Sequence, residues 1–272
     1  MPFASYEHQG RCHVGRVEGD TLVPLAGPSE LGPQTPSDVL AALDAAGPAV
    51  PVGEVRFRPV VPHPDKIICV GLNYLTHIGE TGRDRPQYPV LFTKFASSLI
   101  GARDPISVPA ESVQVDYEGE LAVIIGRAGR RIDRQAALAH VMGFSVANDV
   151  TMRDYQYKTH QWLQGKAWEN STPIGPYLHT ADEVDMTAAG LRTLLNGQKM
   201  QESDTSLMIF DIPTLISTIS EFTTLLPGDI ILTGTPGGVG FRRDPQVFLK
   251  PGDEVAIEID GLGAVRNQVV AE

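Results

Sequence analysis

The chain has 272 residues, 42% of them hydrophobic, which is enough for one large domain or for a large domain with a small partner. Its 33 acidic and 22 basic side chains give a formal net charge of −11, and so acidic a surface repels phosphate backbones, which argues against nucleic acid as a partner. The two cysteines, Cys12 and Cys69, exclude a disulfide framework and indicate a reducing compartment. Neither a signal peptide nor a run of eighteen apolar residues is evident, so we predict a cytoplasmic protein without a membrane partner.

The first 63 residues are predicted to form a small α/β domain of their own. RCHVGRV and TLVPL, with a turn at residues 18–20, are typical of a β-hairpin. SDVLAALDAAG predicts a short helix with Ser37 as its N-cap and Gly47 as its end. Five prolines between residues 48 and 64 then exclude a regular element, so we predict that a larger domain spans residues 64–272.

Strands dominate the predicted larger domain. Two helices are expected, RQAALAHV and PTLISTISEF; in the second, Leu215, Ile216, Ile219 and Phe222 share one face, and Asp211 is a candidate N-cap. Strands without regular helix alternation indicate a β-dominated α+β fold, a sandwich or roll, and argue against a doubly wound sheet. The predicted strands are KIICVG, PVLFTK, VDYEGELAVIIG, GFSVAND, DIILTG, VAIEID and AVRNQVV.

The strand VDYEGELAVIIG carries three acids of the same parity, Asp116, Glu118 and Glu120, about 6.6 Å apart along one side. The apolar run from Leu121 to Ile125 predicts burial on both faces. Two such carboxylates repel by about 2–3 kcal/mol at an effective dielectric near 20. The acids therefore form either a solvated strand face or a site for a hard divalent cation with oxygen ligands.

Asp149 ends the run GFSVANDV, either in an Asx turn or as a third carboxylate for Mg²⁺ or Mn²⁺. Arg153 and Gln156 follow in TMRDYQ and would lie close to such an ion. In GLNYLTHIGE, His77 has Glu80 at i+3, which could orient its imidazole for proton transfer, although a structural histidine is the commoner case.

Lys166 in LQGKAWE is either an ordinary surface lysine or a cation that balances the carboxylates and holds an anionic substrate. The glycine-rich segment ILTGTPGGVG, with Gly234 and Thr235, is either a plain turn or a backbone and hydroxyl site for a carboxylate or oxyanion. Neither segment has the spacing of a P-loop or a dinucleotide-binding loop, and the chain lacks a G-x-S-x-G nucleophile motif.

The order of these motifs, from GLNYLTHIGE through VDYEGELAVIIG, GFSVANDVTMRDYQ, GKAWENSTPIGP and LNGQKMQESDTSLMIF to ILTGTPGGVG, resembles the fumarylacetoacetate hydrolase family over about residues 64–270. The first 63 residues resemble the leader domain of its longer bacterial members. The resemblance implies a mixed β-sandwich roll, a homodimer and an essential Mg²⁺ or Mn²⁺. It also implies roles for single residues: Glu118, Glu120 and Asp149 as metal ligands, Asp116 as their support, His77, Glu80 and Lys166 as catalytic residues, and Arg153, Gln156, Gly234 and Thr235 in the substrate site.

Three positions depart from the family pattern. Glu169 stands where members usually carry Asp, Ser171 replaces an aromatic residue, and Leu75 replaces a residue that is often basic. These changes are expected to alter the shape and polarity of the substrate pocket.

The resemblance implies an enzyme acting on a small keto or diketo acid. Our leading hypothesis is hydrolysis of a carbon–carbon bond in a 2,4-diketo acid of the acylpyruvate or fumarylpyruvate type, with His77, oriented by Glu80, activating water. The alternatives on the same site are decarboxylation of an oxaloacetate-type acid and isomerisation of a 2-hydroxyhepta-2,4-diene-1,7-dioate-type acid. A non-catalytic binding protein with a structural metal ion is the alternative of another class.

Overall fold

A computed structural model describes residues 1–75 and 85–272, and strands make up most of its regular structure. Most strand pairs are antiparallel. In chain order the strands are β1 (Phe3–His8), β2 (Arg11–Glu18), β3 (Thr21–Pro24), β4 (Val50–Pro51), β5 (Arg56–Phe57), β6 (Ile67–Gly71), β7 (Val90–Lys94), β8 (Leu99–Ile100), β9 (Ile106–Val108), β10 (Val115–Asp116), β11 (Gly119–Ile125), β12 (Val141–Asn148), β13 (Thr151–Met152), β14 (Thr172–Thr180), β15 (Gly190–Leu195), β16 (Gln198–Asp204), β17 (Ile230–Leu232), β18 (Glu254–Ile259) and β19 (Gly263–Ala271).

Twelve of these strands form one mixed sheet with the main order β4-β3-β2-β1-β14-β12-β11-β17-β6-β7, while β5 pairs with β1 and β8 with β14. β6 and β17 run parallel. Because β1 pairs with β14 through Phe3 and Leu178, the strands of the first 63 residues extend the sheet of the larger region. The domain boundary near residue 63 stays a prediction.

A second sheet of five strands, in the order β16-β15-β18-β19-β9, packs against the first across the main hydrophobic core. Leu121, Val123 and Ile125 of β11 lie in that core, whereas Ala122 and Ile124 lie in a second core on the opposite face of the sheet. All five side chains are fully buried, so the predicted burial of this strand on both faces is confirmed.

The predicted β-dominated α+β fold is confirmed, and all seven predicted strand segments contain strands. The acidic segment differs in one respect, because it is two strands, β10 and β11, with a break at residues 117–118. β10 pairs with β13, whereas β11 pairs with β12 and β17. Strands β14, β15 and β16 were not predicted; β14 contains Pro173, Gly175 and Pro176, which argue against a strand on propensity alone.

Among the residues that the structure describes, the α-helices are short apart from one: α1 (Ser37–Ala41), α2 (Arg153–Gln156), α3 (Leu163–Lys166) and α4 (Ile212–Phe222). The predicted Ser37 cap is wrong, because Pro36 occupies the N-cap position, and the helix ends well before Gly47. RQAALAHV forms a 3₁₀ helix, Arg134–His140, that packs against α4. No helix within residues 1–75 and 85–272 is long and apolar enough to cross a membrane.

Helix α4 begins where the sequence predicts. Asp211 is its N-cap and accepts a hydrogen bond from the Thr214 N–H at 2.9 Å. Leu215, Ile216 and Ile219 are fully buried, as predicted. Phe222 is 61% exposed, so its predicted place on the buried face is wrong; it is the last helical residue, and the chain turns into extended backbone at residue 223.

We predict that Asp211→Ala lowers the free energy of unfolding by about 1 kcal/mol at pH 7, measured by urea denaturation. Burial alone would raise the pKa of Asp211, but hydrogen bonds from Thr214 and the ion pair with Arg134 lower it below its ordinary value. The ionised carboxylate therefore stabilises the fold above about pH 4. The difference in the free energy of unfolding between wild type and Asp211→Ala should become smaller as the pH falls below that point. Asp211→Asn, which keeps an acceptor for the helix N-terminus, should cost less; an equal cost would contradict the capping role.

Candidate active site

Three carboxylates converge at one end of the central strands β11 and β12. Glu118 directly precedes β11, Glu120 is its second residue, and Asp149 directly follows β12. Antiparallel pairing of Gly119 with Asn148 brings them together, and the Asp149 N–H donates to the Glu118 carbonyl at 2.8 Å. One carboxylate oxygen of each lies within 4.8 Å of the others, and the residues are only 4%, 1% and 0% exposed. The alternative of a solvated strand face is therefore wrong.

Two buried lysines bind this carboxylate triad. The Nζ of Lys94 donates to Asp149 Oδ1 at 2.8 Å, while the Nζ of Lys166 donates to Asp149 Oδ2 at 2.6 Å and to Glu118 Oε2 at 2.5 Å. The Asp149 carboxylate thus binds ammonium groups, and the Asx-turn alternative is wrong. Burial alone would lower the pKa of Lys166, but Asp149 and Glu118 raise it above its ordinary value, so this lysine is charged.

Arg153 and Asp116 form a chain of ion pairs that leads to Glu118 of the triad. The Nη2 of Arg153 lies 2.7 Å from Glu118 Oε1 and 2.8 Å from Asp116 Oδ2. The Asp116 carboxylate also accepts hydrogen bonds from the N–H groups of Gly240 at 2.8 Å and Phe241 at 3.0 Å. Asp116 therefore fixes Arg153, and through it Glu118, to the chain segment at residues 240–241.

Four buried carboxyl groups face three buried cations in this cluster. Glu120 has no ion pair among the described residues, and its Oε2 accepts a hydrogen bond from the Gly234 N–H at 2.8 Å. Burial, followed by the charges of Asp149 and Glu118, raises the pKa of Glu120 well above its ordinary range, and Lys166 offsets this only in part. The buried carboxylates are Asp116, Glu118, Glu120 and Asp149, and the buried cations that contact them are Lys94, Arg153 and Lys166.

A divalent cation fits this donor set. Mg²⁺ and Mn²⁺ prefer carboxylate oxygens at about 2.1 Å, which places neighbouring ligand oxygens about 3–4 Å apart. Small side-chain shifts would bring the triad oxygens, now within 4.8 Å of one another, to that spacing. Because the Lys166 ammonium lies between Glu118 and Asp149, it competes with a cation for the same oxygens.

A pocket beside the triad has aromatic walls. Phe92 and Trp162 meet edge to face with their ring centres 5.5 Å apart, and Tyr157 stacks on Phe241 at 5.2 Å. The same pocket is lined by Glu118 and Glu120 and by the residues predicted for catalysis or substrate binding, Arg153, Gln156, Lys166 and Thr235.

The predicted glycine-rich segment supports the pocket through its backbone. Gly234 has a φ of +101°, and a Cβ there would lie 2.8 Å from the Val70 carbonyl oxygen, so only glycine brings this N–H to Glu120. Thr235 Oγ1 accepts a hydrogen bond from the Gln201 side-chain amide at 2.8 Å. Gln201 Oε1 in turn accepts from the Gly119 N–H at 3.0 Å, which joins the glycine-rich segment to the start of β11.

Two predicted catalytic residues, His77 and Glu80, lie outside the described residues, and their roles stay predictions. Leu75, the departure nearest to them, is 50% exposed. Ser171 is buried and donates to the Trp168 carbonyl at 2.7 Å, whereas Glu169 is exposed.

Sequence reasoning missed Lys94, Gln201 and Arg242. Lys94 ends the strand-like run PVLFTK. A charged residue at the end of an apolar strand is the same signal that made Asp149 a candidate. Gln201 lies in a polar strand whose sequence does not distinguish it from solvent-facing neighbours. Arg242 lines the pocket and stands two residues after the glycine-rich segment.

The family described as fumarylacetoacetate (FAA) hydrolase, C-terminal, matches residues 66–270, which is most of the chain. The chain belongs to the fumarylacetoacetate hydrolase family. It is an enzyme of this superfamily, and the non-catalytic alternative is not supported.

Curated relatives and solved structures of this family cover nearly the whole chain. The mitochondrial oxaloacetate tautomerase FAHD2A of Bos taurus is 48% identical, and that of Homo sapiens 46%, over 89% of this chain and 78% of each relative. The structure of a fumarylacetoacetate hydrolase from Exiguobacterium antarcticum has a TM-score of 0.89 and 36% identity, with complete coverage of both chains. A 5-carboxymethyl-2-hydroxymuconate delta-isomerase from Mycobacterium smegmatis has a TM-score of 0.86 and 33% identity, again with complete coverage. The cytoplasmic location and the homodimer stay predictions.

We predict that Glu120→Gln weakens Mn²⁺ binding about tenfold or more, measured by isothermal titration calorimetry. The amide preserves the shape and can still accept from Gly234, but it removes one of the negative charges that attract the ion. Glu169→Gln, the same change at an exposed acid outside the triad, should bind Mn²⁺ like wild type. Wild-type affinity in Glu120→Gln would show that the triad is not the metal site.

We predict the opposite effect for Lys166→Met. Removing the ammonium that shares Glu118 and Asp149 should raise Mn²⁺ affinity several-fold, since a competing positive charge is lost. Lys199→Met, at a half-exposed lysine in β16, should leave the affinity unchanged. A large loss of affinity in Lys166→Met would mean that the lysine holds the triad in shape rather than competing with the ion.

Proposed function

We propose that this protein interconverts the enol and keto forms of a 2-oxo dicarboxylate of the oxaloacetate type, with Mg²⁺ or Mn²⁺ held by Glu118, Glu120 and Asp149. The observation that carries the proposal is the Lys166 ammonium, 2.5–2.6 Å from two of the three carboxylates, at the side of a pocket lined by Glu118, Glu120 and Gln156. The oxaloacetate tautomerases FAHD2A of Bos taurus and Homo sapiens, at 46–48% identity, support tautomerisation as the reaction.

The bound ion would supply a Lewis acid that anchors the 2-oxo acid end of the substrate and lowers the energy of negative charge on its C2 oxygen. Lys166 adds a second, fixed positive charge beside that oxygen. Because the lysine is already fixed by Glu118 and Asp149, it stabilises the developing enolate without reorganising.

Proton transfer at C3 needs a base that can lose and regain a proton. Lys166 and Arg153 have raised pKa values, because the acids that they contact outweigh the effect of burial, and both are therefore poor bases. We assign this role to His77, oriented by Glu80, from their positions in GLNYLTHIGE. We assign binding of the substrate carboxylate to Gln156 and Thr235, which line the pocket.

Hydrolysis of a 2,4-diketo acid is the second candidate. The solved fumarylacetoacetate hydrolase, similar over the whole chain, favours it, as does the presence of His77 and Glu80 in the sequence. Its chemistry shares the enolate but adds an attack by water on the distal carbonyl. Decarboxylation of oxaloacetate and isomerisation of hydroxymuconate-type acids use the same enolate without that water.

One set of assays separates these reactions. With Mn²⁺, we expect fast loss of the ultraviolet absorbance of enol-oxaloacetate with no release of pyruvate or CO₂, and a loss of about 10²- to 10³-fold in kcat for Lys166→Met. Pyruvate formation at the rate of enol loss would identify a decarboxylase instead. Cleavage of acetylpyruvate with ¹⁸O from labelled water in the product acetate would identify a hydrolase.

His77→Ala serves as the control for the assignment of the base. It should abolish turnover while changing Mn²⁺ affinity by no more than about twofold, because histidine is not among the proposed ligands. Loss of the ion in this variant, measured by calorimetry, would contradict the assignment.

A further inference from the structure

Two neighbouring arginines follow the glycine-rich segment, and their surroundings differ. Arg243 is built into the framework: its guanidinium donates to the Tyr117 hydroxyl at 3.2 Å and to the carbonyls of Gly238 and Met200. Arg242 is exposed and lines the pocket beside the triad. Within the part of the chain that the structure describes, Arg242 has no acidic partner; its contact is with the face of the Phe241 ring, 5.2 Å from the ring centre.

The backbone at Arg242 is held at a fixed position relative to the carboxylate triad. It belongs to a one-turn 3₁₀ helix, Gly240–Arg242, whose first two N–H groups donate to Asp116. Asp116 also pairs with Arg153, which pairs with Glu118. A Cβ at Gly240 would lie 1.8 Å from the Val247 carbonyl oxygen and 2.7 Å from Asp116 Oδ1, so the segment is packed tightly against this acid.

The Phe241 ring contacts two arginines of the pocket, Arg153 and Arg242. It stacks on Tyr157, and its ring centre lies 6.0 Å from the Arg153 guanidinium and 5.2 Å from that of Arg242, so one aromatic ring neighbours both a cation engaged with the buried acids and a cation at the rim. The inner cation, Arg153, is occupied by Asp116 and Glu118. The outer cation, Arg242, is available for an anion that enters the pocket.

From this arrangement we propose that Arg242 binds the distal carboxylate of the substrate and thereby selects dicarboxylates over 2-oxo monoacids of the same length. The inference rests on the proposed function, in which the 2-oxo acid end lies at the triad. The far end of a short diacid then reaches the rim of the pocket, where a second carboxylate gains a charge-assisted hydrogen bond from the guanidinium. A monoacid has no second carboxylate at the rim and gains no such hydrogen bond.

The test compares oxaloacetate with 2-oxobutyrate, a monoacid with the same number of carbons, by hydrogen–deuterium exchange at C3 followed by NMR in the presence of Mn²⁺. For Arg242→Gln we expect kcat/KM for oxaloacetate to fall about tenfold, chiefly through KM, and that for 2-oxobutyrate to change less than about twofold. Arg242→Lys should recover part of the preference. The preference of wild type for oxaloacetate over 2-oxobutyrate should decline with added salt, because the arginine is exposed. The preference of Arg242→Gln should not depend on salt in this way.

Arg266→Gln is the matched control, since it makes the same charge change at an exposed arginine of β19 that pairs with Glu254 and Glu258. It should leave the selectivity unchanged. If kcat/KM falls equally for both substrates in Arg242→Gln, or if the ratio of the two kcat/KM values does not change, the inference is overturned.

Failure of the proposed function is separable from failure of this inference. If wild type exchanges neither substrate, the proposed function is wrong, and calorimetry with 2-oxoglutarate and 2-oxopentanoate then decides the role of Arg242. Tighter binding of the diacid that is lost in Arg242→Gln would support the inference. Equal affinity of wild type for the two acids would overturn it.

Discussion

The interaction on which the site depends is the sharing of one lysine, Lys166, by two buried carboxylates, Glu118 and Asp149. Two like charges 4 Å apart repel by about 4 kcal/mol at an effective dielectric of 20, and burial adds a desolvation cost for each. The pairing of β11 with β12 forces these acids together. Lys166, Lys94 and Arg153 offset most of that cost. Glu120 has no ion pair among the described residues and its pKa is raised, and a divalent cation would stabilise its charged form.

The same polar network reaches from the triad to the pocket rim. Arg153 joins Glu118 to Asp116, and Asp116 binds the backbone of residues 240 and 241. On another side, Gln201 joins the start of β11 to Thr235. Each link is a hydrogen bond or ion pair between buried groups, where a broken link leaves a polar group unsatisfied at a cost of about 1–3 kcal/mol. The rim is therefore linked to the carboxylate triad through Arg153 and Asp116, although it is remote from the triad in sequence.

Much of this arrangement could be predicted from the sequence, for identifiable reasons. The strands β11 and β12 are continuous apolar runs, and acids that adjoin such runs stand out, so Glu118, Glu120 and Asp149 could be grouped. Of the cations that balance them, Arg153 and Lys166 were candidates from the sequence, but Lys94 was missed, because a lysine gives no sign of burial; Lys94 and Asp149 meet across 55 residues through tertiary structure alone. Strand β14 was missed because its prolines and glycine contradict strand propensity, and pairing with β1, β8 and β12 overrides that preference. The predicted end of α4 at Phe222 agrees with the structure, but the burial of Phe222 was wrong, since apolar spacing does not show whether the last residue of a helix still contacts the core.

In the proposed mechanism, enolate stabilisation would be common to the reactions for which relatives are named, tautomerase, hydrolase and isomerase. In the proposed mechanism, the residues that would hold the ion and Lys166 lie at the end of the substrate that these reactions share, where they would lower the same barrier in each. What distinguishes the reactions is the other end: which group leaves, whether water attacks, and what anchors the distal atoms. In this chain those atoms would meet Arg242, Phe241 and Trp162 at the rim, together with His77 and Glu80 from the segment GLNYLTHIGE. A change of reaction within the family should therefore require substitutions at the rim and in that segment, while the triad and its three cations can remain the same.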